Sequence, residues 1–381
     1  MPLSHDADYA TYLYTCNRCR ACTTVRDRPE LPVCPSFHHQ GFFAYSGGGK
    51  GYTAQGVLEG KVAPTLEAAQ VAMHCTLCHA CATMCPPGFE TTHFIRDLRA
   101  WFVHHGVYAN PAHFRILENM RRLGNPAGKS ARRLSTQELG LSTQTQGAEA
   151  ILFLGCHFGL GRNSLNSVKR IIAAAGARVA VLEDEPCCGN PALELGDAEL
   201  FAQLAEKNVE RLNATGVGRV ITLCPHCTST LVNDYQEAGE LQPEVLHLSE
   251  WIAELLEKDR IGLAEAEPEF EVSLHDPCHL TRYLERGEVL RQVLEQVPGL
   301  KLREMKRSGE SAYCCGGGSF AFEVAPELWR FASRERIQEA LASGARALVT
   351  ACPYCQASLS RAGGKRLEVI PLADLIANRL G

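Results

Sequence analysis

Ten cysteines fall into two sets of five that share one order and nearly one spacing. The first set is Cys156, Cys187, Cys188, Cys224 and Cys227, a C-x30-CC-x35-C-x2-C pattern. The second is Cys278, Cys314, Cys315, Cys352 and Cys355, a C-x35-CC-x36-C-x2-C pattern. Thiols repeated in this way point to metal ligands rather than core filling. Zinc is satisfied by four ligands, and two adjacent cysteines make poor corners of one tetrahedron. Five thiolates, two of them adjacent and able to reach different irons, suit an iron–sulfur cluster that is not a simple cube. The alternative is that the second cysteine of each pair merely packs.

The other eight cysteines lie near the N-terminus. Cys16, Cys19, Cys22 and Cys34 read C-x2-C-x2-C-x11-C-P, and Cys75, Cys78, Cys81 and Cys85 read C-x2-C-x2-C-x3-C-P. The second run is the bacterial ferredoxin pattern for a [4Fe–4S] cubane, in which the cysteine before proline ligates the other cluster. The expected grouping is therefore crossed: Cys16, Cys19 and Cys22 with Cys85, and Cys75, Cys78 and Cys81 with Cys34. The x11 gap before Cys34 departs from the compact pattern. Zinc, which usually takes two spaced pairs, is the competing reading here.

These ligands need elements to hold them. PTLEAAQVAMH (64–74) and TTHFIRDLRAWFVHHG (91–106) have helical spacing, so residues 1–120 are read as an α-helical ferredoxin-type domain with cysteine loops between helices. GGGKG (47–51) lacks the Ser or Thr and the preceding strand of a phosphate loop, and is read as a glycine turn. Residues 121–149 are polar, without a sustained period, and form a linker. Residues 150–262 and 263–381 then repeat one arrangement. AILFLG, RVAVLE and RVITL are short apolar runs fit for buried parallel strands, with helix-like segments between them. EVSLHD, LKLREM and RALVTA repeat the series, and VLHLSEWIAELL matches EVIPLADLIANRL at the close of each unit. The fold class is α+β multidomain, a helical domain followed by two duplicated α/β domains with parallel sheets. Every cysteine of the two five-membered sets follows a strand end, where open α/β sheets place their ligands.

Composition narrows the function classes. Of 381 residues, 45% are hydrophobic and 21% charged, which is ordinary for a globular protein of two or three domains. The net charge of -5 and scattered basic residues favour neither nucleic acid nor an anionic membrane. With no run of about 20 apolar residues and no signal-like N-terminus, the expected location is cytoplasmic, with no membrane span. Thiols stay reduced there, so this many cysteines indicates metal binding or redox work.

The paired CCG sequences with C-P-x-C at the end of each set resemble the CCG domains of the B-type subunit of heterodisulfide reductase. The N-terminal cysteine runs resemble its C-type subunit, so the chain is similar to a C–B fusion of the D-type. The resemblance implies a non-cubane [4Fe–4S] cluster on each five-cysteine set, besides two [4Fe–4S] cubanes on the first eight cysteines. It further implies a cleft between the two sets where a disulfide is split, one electron to each side.

No strand is followed by G-x-G-x-x-G, so electrons are expected from a flavin-containing or other donor subunit in a larger redox complex. Three functions follow. The chain is an oxidoreductase subunit reducing a disulfide or related substrate, or a purely electron-transferring subunit of a flavoprotein oxidase or acyl-CoA-reducing system, or a zinc scaffold. His157, His226, His275 and His279 neighbour the cysteines. His275 and His279 are the candidate catalytic proton donors, the alternative being polar residues at strand ends. Gly189 and Gly316 are read as sites of close backbone approach to a cluster, and Gly317 and Gly318 as extra room around the second site.

Overall fold

The computed structural model describes residues 13–128, 138, 140–158, 165–265 and 270–381. The N-terminal region is mainly helical, as its periodicity requires. Helix Thr91–His104 buries Phe94, Ile95, Leu98 and Phe102 along one face, against helix Gly47–Leu58. Helix Pro111–Leu123 starts with Asn110 accepting from the His113 amide and Pro111 at the first position, and it stops at Gly124 in the left-handed region.

Two features differ from the sequence reading. First, the x11 gap holds an antiparallel hairpin of β1 (Thr24–Val25) and β2 (Arg28–Pro32), which carries the chain outward and returns it at Cys34. Second, GGGKG is no turn: it opens helix Gly47–Leu58, with the Ser46 hydroxyl accepting from the Gly49 amide at 2.9 Å. A Cβ on Gly49 would overlap the Phe43 carbonyl, so glycine lets this helix start against the preceding turn.

Each repeat contains a four-stranded all-parallel sheet. In the first, β3 (Ala150–Phe153), β4 (Val179–Ala180), β5 (Arg219–Thr222) and β6 (Glu244–His247) have the order β4-β3-β5-β6. In the second, β7 (Phe270–His275), β8 (Leu300–Leu302), β9 (Ala347–Thr350) and β10 (Glu368–Pro371) have the order β8-β7-β9-β10, the same topology. All four residues of β3 and of β9 are buried, as strands covered on both faces must be. The order reverses between the first and third strands of each repeat, the switch point where an open sheet leaves a crevice at its carboxyl end.

The repeats pack reciprocally. Helix Asn166–Ala174, the first long helix of one repeat, lies against Leu372–Ala377, the last of the other. Leu248–Glu257 and Val289–Glu295 make the matching contact. One apolar cluster runs through this junction and includes Leu152, Ile252, Leu274 and Ile376. An exchange of first helix for last is the mark of a pseudo-two-fold relation, and it turns the two crevices toward each other.

Candidate metal centres

The helical domain forms two cavities between its cysteine loops. One is lined by Cys16, Cys19, Cys22 and Cys85, the other by Cys34, Cys75, Cys78 and Cys81. This is the crossed grouping of the thiols, and the β1–β2 hairpin is what brings Cys34 across. The first turn of helix Gly47–Leu58 wedges between the cavities. A Cβ on Gly48 would lie 3.2 Å from Cys16 Sγ, and one on Gly47 would lie 2.7 Å from Cys81 Cβ. The Gly48 amide faces Cys22, so a helix N-terminus aims its donors at sulfur. Burial pushes the Cys22 and Cys34 thiols up to about 12. Thiols held this far from water ionise only against a strong positive charge, which a bound iron cluster supplies.

Lys50 is a site residue that the sequence reading missed. It is 1% exposed, beside Cys34, Cys75 and Cys81, and its Nζ donates to the Tyr45 carbonyl (2.7 Å) and the Ser36 hydroxyl (3.2 Å). Burial lowers its pKa while the neighbouring thiols raise it. GGGKG is no phosphate loop, yet a lysine flanked by glycines within a cysteine-rich stretch is a signal that could have found it.

In the first repeat, Cys156 sits just past β3, Cys224 just past β5, and Cys187 and Cys188 follow β4. Cys156 touches Cys187 and has Cys224 nearby, and Cys188 Sγ is 3.4 Å from Cys227 Sγ. In the second repeat Cys278 touches Cys314, and Cys355 touches both Cys315 and Cys352. Nine of these ten cysteines are buried, and Cys278 is half-buried. Neither adjacent pair turns one thiol away: Cys187 reaches Cys156 while Cys188 reaches Cys227, and Cys314 and Cys315 diverge likewise. Five converging thiols exceed what one tetrahedral ion takes and fit an iron–sulfur cluster whose irons are reached separately.

The four thiol groups form an unbroken series. Cys22 neighbours Cys34 between the two cavities of the helical domain. Cys78 meets Cys314 across the seam to the second repeat, and Cys352 meets Cys224 across the junction of the repeats. The seam is tightly held. Arg282 donates to the Cys78 carbonyl (2.9 Å), Tyr283 to the Leu77 carbonyl (2.7 Å), and buried Arg99 to the Cys75 and Glu194 carbonyls (both 2.6 Å).

One glycine reading is corrected by this packing. A Cβ on Gly318 would overlap the Thr76 carbonyl, and one on Gly317 would lie 3.1 Å from the Tyr354 carbonyl, so these glycines close a seam rather than leave room. Gly189 and Gly316 have φ of +84° and +81°, and their Cβ atoms would meet Phe201 and the Trp329 carbonyl. Both adopt a left-handed turn against a helix that excludes a side chain, and the Gly316 amide lies 3.4 Å from Cys314 Sγ.

The four histidines are all buried near the thiols. His275 Nδ1 accepts from Arg336 Nε (3.0 Å), which leaves its proton on Nε2, and His275, Cys315 and Cys355 place ligand atoms within 4.8 Å of one another. Burial holds His275 down to about 3 and His279 to about 4, so both are neutral near pH 7. His157 meets the Tyr354 ring edge-on at 4.2 Å, and His279 meets the His226 ring at 3.9 Å. The residue after the first cysteine of each set thus packs on the ring between the last two cysteines of the other. Tyr354 also brings its hydroxyl 3.8 Å from Cys156 Sγ, in the opposite repeat. Glu194, absent from the sequence reading, is 1% exposed and held by the Ser319 amide at 2.9 Å. A lone acid in the apolar NPALEL is its only signal.

Comparison with known proteins agrees with this geometry. Residues 9–89 match the 4Fe-4S dicluster domain, and residues 150–232 and 272–360 each match the cysteine-rich CCG domain. The chain is 31% identical over 320 residues to the D-type subunit of dihydromethanophenazine:CoB–CoM heterodisulfide reductase from Methanosarcina barkeri, covering 81% of this chain and 77% of the relative. It is 28% identical to the B-type subunit of fumarate reductase (CoM/CoB) from Methanothermobacter marburgensis, covering 79% of this chain and 60% of that one. Against the probable iron-sulfur-binding oxidoreductase FadF of Bacillus subtilis the identity is 30%, over 74% of this chain and 42% of the relative. In fold it resembles a hypothetical protein from Helicobacter pylori, with a TM-score of 0.55 at 12% identity, over 88% of this chain and 68% of that one. No helix among the described residues is long and apolar enough to cross a membrane. On that extent of identity and those three domain matches, the chain is an iron–sulfur redox protein and belongs to the family of the D-type heterodisulfide reductase subunits.

Proposed function

We propose that this chain carries electrons from a donor subunit, flavin-containing or otherwise, to a disulfide or related two-electron substrate handled between the two CCG repeats. Cys16, Cys19, Cys22 and Cys85 would hold one [4Fe–4S] cubane, and Cys34, Cys75, Cys78 and Cys81 a second. The sets Cys156, Cys187, Cys188, Cys224, Cys227 and Cys278, Cys314, Cys315, Cys352, Cys355 would each hold a non-cubane [4Fe–4S] cluster. When bound, such clusters supply one-electron steps at potentials that charge, burial and hydrogen bonds to sulfur adjust over several hundred millivolts.

The observation that carries this reading is the unbroken series of thiol groups ending in two that adjoin at Cys224 and Cys352. A disulfide takes up two electrons and two protons to give two thiols, and two adjoining one-electron sites match that count. The chain's own residues hold the junction dry, with Cys224 and Cys352 4% and 2% exposed. They also supply hydrogen bonds there, from the His226 ring to Cys224 and Cys352 and from Tyr354 to Cys156. His275, with its proton on Nε2, is the proposed proton donor to a product thiolate, while His279 turns its Nε2 to Glu194.

The same burial favours a second reading, in which the sites only relay current and chemistry belongs to another subunit. Anaerobically purified protein should contain about sixteen irons and as much acid-labile sulfide per chain. Zinc alone would overturn both readings. The loaded chain, reduced chemically and offered disulfides, separates them: turnover supports the reductase, and full cluster content without turnover supports the relay.

A further inference from the structure

Between the two five-cysteine sets lies a second kind of donor group. Glu194, His226 and His279 place one ligand atom each within 4.8 Å of one another, and the residues are 1%, 5% and 1% exposed. Glu194 Oε1, His226 Nε2 and His279 Nε2 have no hydrogen-bond partner among the described residues. Three unsatisfied polar atoms facing one another in a dry junction would cost several kcal/mol if nothing lay between them. Every other polar atom of the three side chains is engaged. Glu194 Oε2 accepts from the Ser319 amide (2.9 Å) and hydroxyl (3.1 Å). His226 Nδ1 lies 3.7 Å from Cys224 Sγ and 3.9 Å from Cys352 Sγ.

The tautomer of His279 follows from Ser229. The Ser229 hydroxyl donates to the His226 carbonyl (3.2 Å), so it accepts at 2.6 Å from His279 Nδ1–H. His279 Nε2 is then a lone pair, and it faces the Glu194 carboxylate at 3.4 Å. A lone pair and a carboxylate oxygen repel unless a proton or a metal cation lies between them. Two ligand atoms bonded to one tetrahedral ion at about 2.0–2.1 Å lie roughly 3.3 Å apart, close to the 3.4 Å of this pair, and the His226 atom completes the group within 4.8 Å. Imidazoles fixed through Nδ1 and a carboxylate fixed through its second oxygen are the usual outer support of a metal site.

We infer that Glu194, His226 and His279 bind one divalent transition-metal ion of the zinc class, separate from the iron–sulfur clusters. Two histidines and one glutamate leave a fourth position for water. The site lies one imidazole away from the point where the two thiol sets meet.

The test uses the full chain, purified anaerobically with its clusters, and zinc as the probe. Iron and sulfide content report on the clusters, so failure of the proposed function is visible separately in the same sample. The expected result is about one tightly bound zinc per chain, with an X-ray absorption shell of nitrogen and oxygen near 2.0 Å and no sulfur near 2.3 Å. Glu194→Gln and His279→Gln should each weaken zinc binding at least tenfold while iron content stays unchanged. Sulfur around the zinc, no zinc retained by cluster-replete protein, or equal affinity in folded variants would overturn the inference. If a variant fails to fold, the ligand shell in the wild-type protein still decides.

Discussion

Cys34 and Cys75 line the same cavity although the sequence places them in different cysteine runs, because the β1–β2 hairpin returns Cys34 to the second run. The partner of Cys16 is correspondingly Cys85. This sharing makes a prediction that a simple one-run, one-cluster arrangement does not. Cys16→Ser and Cys85→Ser should weaken the same paramagnetic signal, and Cys34→Ser and Cys75→Ser the other. Redox-poised electron paramagnetic resonance on the four variants checks it. Loss that follows the runs, Cys85 with Cys75, would sink the crossed grouping.

Lys50 is a buried cation beside only one of the two cavities. Reduction adds negative charge to a cluster, so a fixed cation a few ångströms away favours the reduced form. Lys50→Met should therefore lower the potential of the Cys34, Cys75, Cys78, Cys81 centre. A screened charge at this range is worth about 1.5–3 kcal/mol, on the order of 60–120 mV for one electron. The other cubane should move much less. Potentiometric titration reads both, and equal shifts would mean that the lysine acts on overall structure rather than on the nearer site.

Gly318 and Thr76 predict a different kind of failure. Gly318→Ala forces a methyl group into the Thr76 carbonyl, and backbone on both sides leaves little freedom to relax. The cost should be about 1–3 kcal/mol, seen as a lower Tm of the cluster-loaded protein. Gly218→Ala, with nothing within 4 Å of its Cβ and no positive φ, is the control and should be close to neutral. If both behave alike, the seam does not depend on that glycine.

What could be read from sequence divides along physical lines. The first three strands of each repeat were legible because buried parallel strands are short apolar runs, a property contained within a few residues, whereas β6 and β10 were read only as part of the closing segments. The cysteines were legible because ligand spacing is also local. The helix at Gly47–Leu58 was not, since the four glycines of GGGKG have poor helix propensity and only packing against Phe43, Cys16 and Cys81 favours the helical form. Gly317 and Gly318 were misread for a related reason. Their neighbours, Tyr354 and Thr76, are distant in sequence, and a glycine alone does not say whether it leaves space or lets another backbone in. Glu194 depends on the same kind of distant pairing, with Ser319 and His279.

Tyr354 gives the most selective prediction, because it belongs to the second repeat by sequence and to the first site by contact. Its hydroxyl lies 3.8 Å from Cys156 Sγ, and its ring packs edge-on against His157. Burial raises its pKa far above the usual tyrosine range, so it stays protonated and acts as a donor. A hydrogen bond to a ligating sulfur draws off negative charge and raises the potential of the centre. Tyr354→Phe keeps the ring contact and removes only the donor. The centre on Cys156, Cys187, Cys188, Cys224 and Cys227 should then fall by a few tens of millivolts, about 1 kcal/mol for a weak, long bond to sulfur. The centre on Cys352 and Cys355, which flank the substituted residue, should change less. A larger shift at the flanking site would mean that Tyr354 acts through its own loop, and that the repeats do not tune each other across their junction.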